Sequence, residues 1–300
     1  MSSLRSLTFS YTAKQISLTL PDGRVLSSPS PIVMGILNVT PDSFYSGSRV
    51  PEATAAVEQG LRMVEEGASI LDIGGESTRP GSSPVALETE IARVVPVIAG
   101  IRTHTDIPIS TDTQKAAVAE AALDAGADIV NDVSGLQSDP KLGPLVAARG
   151  VPVILTHMRG TPKTMQDSPR YVDVLEEVRS ALAGYAAAAQ RLGIPGRQIV
   201  VDPGIGFGKG QRDNLKLIRG IPRLADLGYP LLLGVSRKSF IGRILSDGAD
   251  LRPVEERLSG TLAVHLFASL FGADILRVHD VRETRDLLRV LSALLDEDGP

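Results

Sequence analysis

Polar and ionisable residues close a series of apolar runs in this sequence, and they fall into two chemistries. Asp112, Asn131 and Asp202 stand at the ends of "IPIST", "DIVND" and "QIVVDP". Their oxygens accept hydrogen bonds. They suit a ligand edge rich in N–H donors, such as a guanidine-like heterocycle, because one carboxylate pairs with two donors at once. Lys238 follows "PLLLG" in "SRKS", where it can hydrogen-bond a carbonyl or ring nitrogen of the same ligand or lie over its plane. Arg277, His279 and Arg79 suit an anion instead. With Asn38 and Thr78 they are placed to hold a diphosphate, assisted by backbone N–H groups where loops enter helices. The Asn38 amide oxygen is a reasonable single protein ligand for Mg²⁺, which usually keeps water and substrate phosphate oxygens as its other ligands.

Each residue also has a plainer reading. Asp132 and Asp280 read as caps of the turn or helix that follows, and His157 as a structural hydrogen-bonder. The "GFG" of 206–208 reads equally as a flexible turn, and Lys209 and Arg79 as solvated loop charges, Arg79 with Glu76 or Asp42 as an ion-pair partner. Arg237 pairs with a nearby acid on this reading, and Ser239 is an acceptable helix N-cap. The plain readings weaken when taken together, since so many acceptors and cations would face one rim without a ligand.

The elements that position these groups recur with a rhythm. Apolar runs occur at 31–37, 69–74, 107–111, 128–132, 151–156, 198–203, 230–236 and 274–279. Between them lie segments of helical period, such as "EATAAVEQGLRMVEEG", where Ala55, Val57, Leu61 and Val64 fall near a 3.6 spacing. Most of these segments end in Gly, and "GA(S/D)I" recurs at 67–70, 126–129 and 272–275 as a helix end, a tight turn and a new strand. Continuous apolar strands imply burial on both faces, as in a parallel sheet. Eight strand–helix units between residues 31 and 296 predict a single (β/α)8 TIM barrel, whose chemistry sits at the C-terminal ends of the strands. Residues 1–30 read as a separate preface. "LTFSY" and "ISLTL" alternate and "PDGR" is a turn signal, so an antiparallel β-hairpin extension is expected, plugging one end of the barrel.

Composition narrows the function. The 300 residues carry Lys+Arg 31 against Asp+Glu 35, a net charge of −4, and only 4% aromatics with no Trp. That argues against nucleic acid as a partner. With no Cys there are no disulfides, thiolate metal sites or Cys nucleophile, which fits a cytoplasmic protein. "MSSLRSLTFSYTAKQ" has no apolar core of signal-peptide length, and no run is long enough to span a membrane.

Seven motifs, in order, carry a resemblance. "MGILNVTPDSF", "LDIGGESTRPGS", "STDT", "IVNDVSG", "VDPGIGFGK", "GVSRKSFIG" and "RVHDV" resemble the dihydropteroate synthases, pterin-binding enzymes of folate biosynthesis, over about residues 31 to 290. The resemblance implies a homodimeric (β/α)8 barrel. It implies a transferase that joins 6-hydroxymethyl-7,8-dihydropterin diphosphate to 4-aminobenzoate with help from Mg²⁺. By motif, Asp112, Asn131, Asp202 and Lys238 correspond to the pterin pocket, with Met158 of "THMRG" packing near the ring. Asn38 corresponds to the Mg²⁺ ligand, and Asn38, Arg277 and His279 to the diphosphate holders. Thr78, Arg79, Pro80, Phe207, Lys238 and Ser239 correspond to neighbours of aminobenzoate. Asp112, Lys238 and Arg277 are the expected catalytic set.

One departure stands out. Family members usually continue the first loop as "DSFSDGG", whereas this chain reads "DSFYSGS", with Ser46 in place of an acid and Ser48 in place of a Gly. Weaker metal binding or loop closure is the expected consequence. Two other functions stay open on the sequence. One is a methyltetrahydrofolate–corrinoid methyltransferase, which shares the Asp and Asn pocket but needs no diphosphate site. The other is an inactive pterin-binding paralogue.

Overall fold

The structure is a computed structural model, and it describes residues 16–28, 31–40, 49–79, 81–165, 169–248 and 250–296. Eight strands form one all-parallel sheet: β3 (Ile32–Asn38), β4 (Ile70–Gly74), β5 (Ile109–Asp112), β6 (Ile129–Asp132), β7 (Val153–Thr156), β8 (Ile199–Asp202), β9 (Leu232–Leu233) and β10 (Ile275–Val278). Their order is β8-β7-β6-β5-β4-β3-β10-β9. A parallel bridge between Val201 and Leu231 joins the two ends, with Val201 N donating to Pro230 O at 2.9 Å. The predicted (β/α)8 barrel is therefore present, and all eight expected runs contribute a strand.

The helices follow the expected segments. They are α1 (Arg49–Glu66), α2 (Leu87–Arg102), α3 (Ala116–Asp124), α4 (Leu142–Arg149), α5 (Val174–Arg191), α6 (Gln211–Arg219), α7 (Ile221–Ala225), α8 (Ser239–Ile244), α9 (Leu258–Phe271) and α10 (Val281–Leu295). The segment "NLKLIRGIPRLADLG" breaks into α6 and α7. Gly220 ends α6, and the chain restarts with Pro222, which lacks an N–H, in the first turn of α7. The "GA(S/D)I" repeats have a common geometry. Gly67, Gly126 and Gly272 take φ of 102, 109 and 104°, a region that L side chains rarely adopt, and the next strand begins at Ile70, Ile129 and Ile275 respectively.

β1 (Ile16–Thr19) and β2 (Val25–Ser28) form the antiparallel hairpin, turning through Leu20–Arg24 where "PDGR" predicted it. Ile16, Leu18 and Leu20 are buried. They pack with Ile32, Met34, Ile70, Ile129, Ile154, Val200, Leu232 and Ile275, side chains from the N-terminal parts of the barrel strands. The hairpin thus plugs the N-terminal end of the barrel. The stretch "LTFSY" lies outside the described residues.

Strand parity explains what fills the lumen. Successive strand residues face opposite ways. Val33, Leu37, Leu71, Ile73, Val130, Val153, Leu155, Ile199, Val201 and Leu276 belong to the layer shared with the helices, and the alternate residues belong to the lumen. Two positions beyond the apolar lumen residues, in the same parity, come Asp72, Asn131, Thr156, Asp202 and Arg277. One alternation therefore makes a hydrocarbon floor and a polar rim.

Candidate active site

The rim is built on paired strand ends. Asp112 lies opposite Gly74 on one side and Asn131 on the other, while Thr156 lies opposite Asp202. A buried charge network crosses them. Arg277 Nε donates to Asp72 Oδ2 at 2.6 Å, and Arg277 Nη2 donates to Asp112 Oδ2 at 2.7 Å. Asn131 Nδ2 donates to the same Asp72 Oδ2 at 3.1 Å. Asp72 is completely buried, and Asp112 and Asn131 nearly so. Three buried atoms facing this lumen have no hydrogen-bond partner among the described residues: Asp72 Oδ1, Asp112 Oδ1 and Ser110 Oγ. Buried polar atoms are rarely left alone, and these three lie on neighbouring strands of one lumen.

Electrostatics follow from burial. Desolvation pushes the Asp112 carboxyl up to about 7. Arg277 opposes the shift, and Asp72, Glu90 and Asp132 add to it. Burial opposes the charge of Arg277, yet the carboxylates of Asp72 and Asp112 hold its proton more tightly than usual. Burial also raises Asp202, against the pull of Lys238 and the N–H of Gly204, which donates to Asp202 Oδ1 at 2.7 Å. Lys238 is pushed down to about 8 by desolvation, with Asp202 and Asp112 holding it back.

Lys238 lies with Nζ 4.5 Å from the centre of the Phe207 ring and donates to Ile205 O. Both contacts depend on the loop 204–209, which lies close against the backbone after β7. A Cβ on Gly204 would come within 2.0 Å of His157 O, and one on Gly208 within 2.3 Å of Arg159 O. The close approach of this loop therefore requires glycine at 204 and 208. Lys209 fastens it. Its Nζ lies 2.9 Å from His157 Nδ1 and donates to His157 O and Phe207 O, each at 3.0 Å, so three protons meet three acceptors. Reading Lys209 as a solvated charge is corrected here, since it is only 2% exposed. Desolvation lowers it to about 7, and His157 to about 3, which keeps that ring neutral as the hydrogen-bonder expected of it.

Arg237 does pair with an acid: its Nε and Nη2 donate to Asp280 Oδ2 and Oδ1 at 2.8 and 2.7 Å. Asp280 therefore does not cap α10 with its side chain as expected, because Arg237 occupies both of its oxygens. Asp132 does cap its turn, accepting from Ser134 N at 2.8 Å, Ser134 Oγ at 2.9 Å and Leu136 N at 2.6 Å. Ser239 is not the N-cap. Lys238 holds that position in extended conformation, and the exposed Ser239 is the first residue of α8. Glu76 does not pair with Arg79. Its carboxylate takes Lys115 Nζ at 2.7 Å and Val85 N at 2.8 Å, which ties down the loop that carries Thr78 and the exposed Arg79. Asn38 ends β3 opposite Gly74, and Met158 follows β7, both half-buried at the rim. Their strands bring Asn38, Thr78, Met158 and Ser239 to this end of the barrel, but not into the hydrogen-bonded network. Pro80, Asp42, Ser46 and Ser48 lie outside the described residues.

The proposed division of the rim by sign also changes. Arg277 is bonded directly to Asp72 and Asp112, so the acceptor and cation groups are joined. His279 is not a cation at neutral pH. Desolvation lowers it to about 4, with Arg277 adding to the effect, and its Nδ1 lies 3.0 Å from Ser236 Oγ. The residue that sequence reasoning missed is Asp72. "SILDIGG" was read as an apolar strand, but a charge two places after Ile70, in lumen parity, carried the same signal as Asn131 after Ile129.

The family model described as "Pterin binding enzyme" matches residues 34–279. The chain is 47% identical over 262 residues to a dihydropteroate synthase of Synechocystis, covering 87% of this chain and 89% of that protein. It is 43% identical over 273 residues to the Escherichia coli dihydropteroate synthase, covering 91% and 95%. Two solved structures of the Xanthomonas albilineans dihydropteroate synthase superpose closely. The one with 4-aminobenzoic acid has TM-score 0.86 at 45% identity, covering 94% of this chain and 99% of that one. The complex with 7,8-dihydropteroate has TM-score 0.83 at 43% identity, covering 93% and 98%. A barrel whose polar rim carries buried acceptors beside paired cations, matched along nearly its whole length by these relatives, belongs to the pterin-binding enzymes, within the dihydropteroate synthase family.

Proposed function

We propose that the rim joins 6-hydroxymethyl-7,8-dihydropterin diphosphate to 4-aminobenzoate, giving 7,8-dihydropteroate and diphosphate. The observation that supports it most is the unpartnered acceptor oxygen Asp112 Oδ1 at the lumen, beside the doubly paired Arg277. A flat ring with several N–H groups satisfies such acceptors, and the cations at the same mouth suit its phosphates.

On this reading Asp112, Asn131 and Asp202 accept the pterin N–H groups, with Lys238 at a ring carbonyl or nitrogen and Met158 against the ring. Arg277 and His279, with Asn38 and Thr78, hold the diphosphate, His279 as a neutral hydrogen-bond partner. Arg79, Pro80, Phe207, Lys238 and Ser239 border the aminobenzoate. The bond between the exocyclic carbon and the diphosphate oxygen breaks, and its electron pair leaves with diphosphate. The aminobenzoate nitrogen forms the new bond to that carbon and gives up a proton to solvent. An aniline is already unprotonated near neutral pH, so no strong general base is needed. Asp112 stabilises the positive charge that develops on the ring, and the cations stabilise the departing anion.

Asn38 fits Mg²⁺, since an amide oxygen at the mouth is the kind of single protein donor this ion takes alongside phosphate and water. Among the described residues no group of three or more His, Cys, Asp or Glu forms a metal cage. Asn38 would hold the ion, which supplies positive charge to the diphosphate when bound. The reading also includes a homodimer, supported by the exposed Leu266, Val290 and Leu294 of α9 and α10. It places the enzyme in the cytoplasm, in keeping with a Cys-free sequence.

A coupled diphosphate-release assay with both substrates tests the function. Release that requires both substrates supports it. Methyl transfer to a corrinoid protein, or pterin binding without release, would replace it with one of the alternatives.

A further inference from the structure

We propose that Asp72 is a positioning residue of this site: its carboxylate turns the Asn131 amide so that the carbonyl faces the ligand, and aims the Arg277 fork at the rim. The inference rests on the reading of Asn131 as a pterin contact.

An ionised carboxylate can only accept hydrogen bonds. Asp72 Oδ2 takes Asn131 Nδ2 at 3.1 Å and Arg277 Nε at 2.6 Å. An amide offers a donor face and an acceptor face. Because Asp72 claims the donor face, Asn131 presents Oδ1 to anything bound in the lumen. Without Asp72 the amide is free to rotate and offer its NH₂ instead, which repels a ligand edge made of N–H groups. Arg277 is fixed by the same oxygen. Nε goes to Asp72 and Nη2 to Asp112, which leaves Nη1 bonded to neither. Asp72 thus connects the ring-binding and anion-binding halves of the site. Completely buried, Asp72 acts through Asn131 and Arg277 and not on the substrate itself.

Asp72 also acts on Asp112 through charge. The groups facing Asp112 are Arg277 and Lys238, which favour its ionised form, and Asp72, Glu90 and Asp132, which disfavour it. Removing the Asp72 charge takes away one repulsion and leaves Asp112 as the hydrogen-bonded carboxylate of Arg277, with Asp202 acting on it only through charge. Both changes lower the pH at which Asp112 ionises.

The test uses calorimetry with free 6-hydroxymethylpterin, which has no diphosphate and so isolates the ring contacts. Wild type, Asp72→Asn, Asn131→Ala and the double variant are compared across pH 5 to 9. Asp72→Asn is expected to weaken binding about tenfold, and less than about threefold when Asn131 is already Ala, because the two act as a unit. The acid limb of the wild-type profile should move down by about one pH unit in Asp72→Asn. Equal losses in both backgrounds, or an unmoved limb, would give Asp72 a merely structural role and overturn the proposal. If Asn131→Ala weakens binding and Asp72→Asn does not, the proposal fails alone. If Asn131→Ala binds like wild type, the pterin reading fails and the proposal falls with it. Should Asp72→Asn not fold, selective ¹⁵N labelling of Asn in the wild type decides. The Asn131 side-chain NH₂, assigned by its loss in Asn131→Ala, should exchange slowly with and without pterin, and exchange at the free-solvent rate would refute the assignment.

Discussion

The two ends of the barrel lumen use the same strands for opposite purposes. At the N-terminal end Ile70, Ile129, Val200 and Ile275 meet the hairpin residues Ile16, Leu18 and Leu20. Two residues further along, the same strands offer Asp72, Asn131, Asp202 and Arg277. The floor is stabilised by apolar burial, which is non-directional and tolerant of detail. The rim holds buried charges that are costly unless each finds a partner, so its geometry is unforgiving. The comparison teaches that stability and chemistry are separated here by about 7 Å of strand, two residues at ~3.3 Å each. Substitutions at the two ends should therefore fail differently.

The largest effect is expected at the rim. Arg277→Ala leaves Asp72 and Asp112 buried without their cation, so turnover should fall by about 10² to 10³ and stability by roughly 3–5 kcal/mol. Calorimetry should show the diphosphate substrate weakened more than the free pterin. Equal weakening of the two would mean that Arg277 does not serve the anion. At the floor, Leu18→Ala should cost about 2–5 kcal/mol in denaturant unfolding while kcat/KM of the remaining folded enzyme stays at the wild-type value. A large loss of kcat/KM would show that the two ends are coupled after all.

A smaller effect separates them by pH. Lys209 is lowered to about 7 from 10.5, so between those values the unfolded chain binds more protons than the folded one. Stability should rise with pH over that window, and the contribution should be absent below it, where both states are protonated. Lys238, lowered to about 8, acts in the same direction. Thermal unfolding of Lys209→Met should show a flatter rise from pH 7 to 9 than wild type. An unchanged slope would mean that Lys209 carries no unusual proton affinity. The smallest effect is back in the hairpin. Val25 points outward and is 54% exposed, so Val25→Thr should stay within about 0.5 kcal/mol of wild type. A loss as large as that of Leu18→Ala would mean the outer face of the hairpin is covered.

The sequence was most legible where one physical signal acted alone. Apolar runs bounded by Gly and helical segments gave all eight strands, because burial on both faces leaves little choice of residue. The rim groups at strand ends, Asp112, Asn131 and Asp202, were visible as polar residues closing such runs. Asp72 was harder to see because it sits inside its run, with apolar residues on both sides. Its role appears only when lumen parity is known across neighbouring strands. Lys209 looked like an ordinary loop lysine, since nothing local shows that Gly204 and Gly208 let the loop close onto the carbonyls of His157 and Arg159. Asp280 was read as a cap because caps are local, whereas its partner Arg237 lies 43 positions away. Long-range pairs of this kind are what a linear reading sees least well.

On the proposed reading the rim seats a flat ring on its acceptors and the phosphates on the Arg277 cation and the neutral His279 ring. A crystal structure with 6-hydroxymethylpterin diphosphate bound tests it most directly. The account predicts ring N–H groups on Asp112, Asn131 and Asp202, with phosphate oxygens at Arg277 and His279. Density that places the phosphates beside Asp202, or the ring outside the lumen, would contradict it.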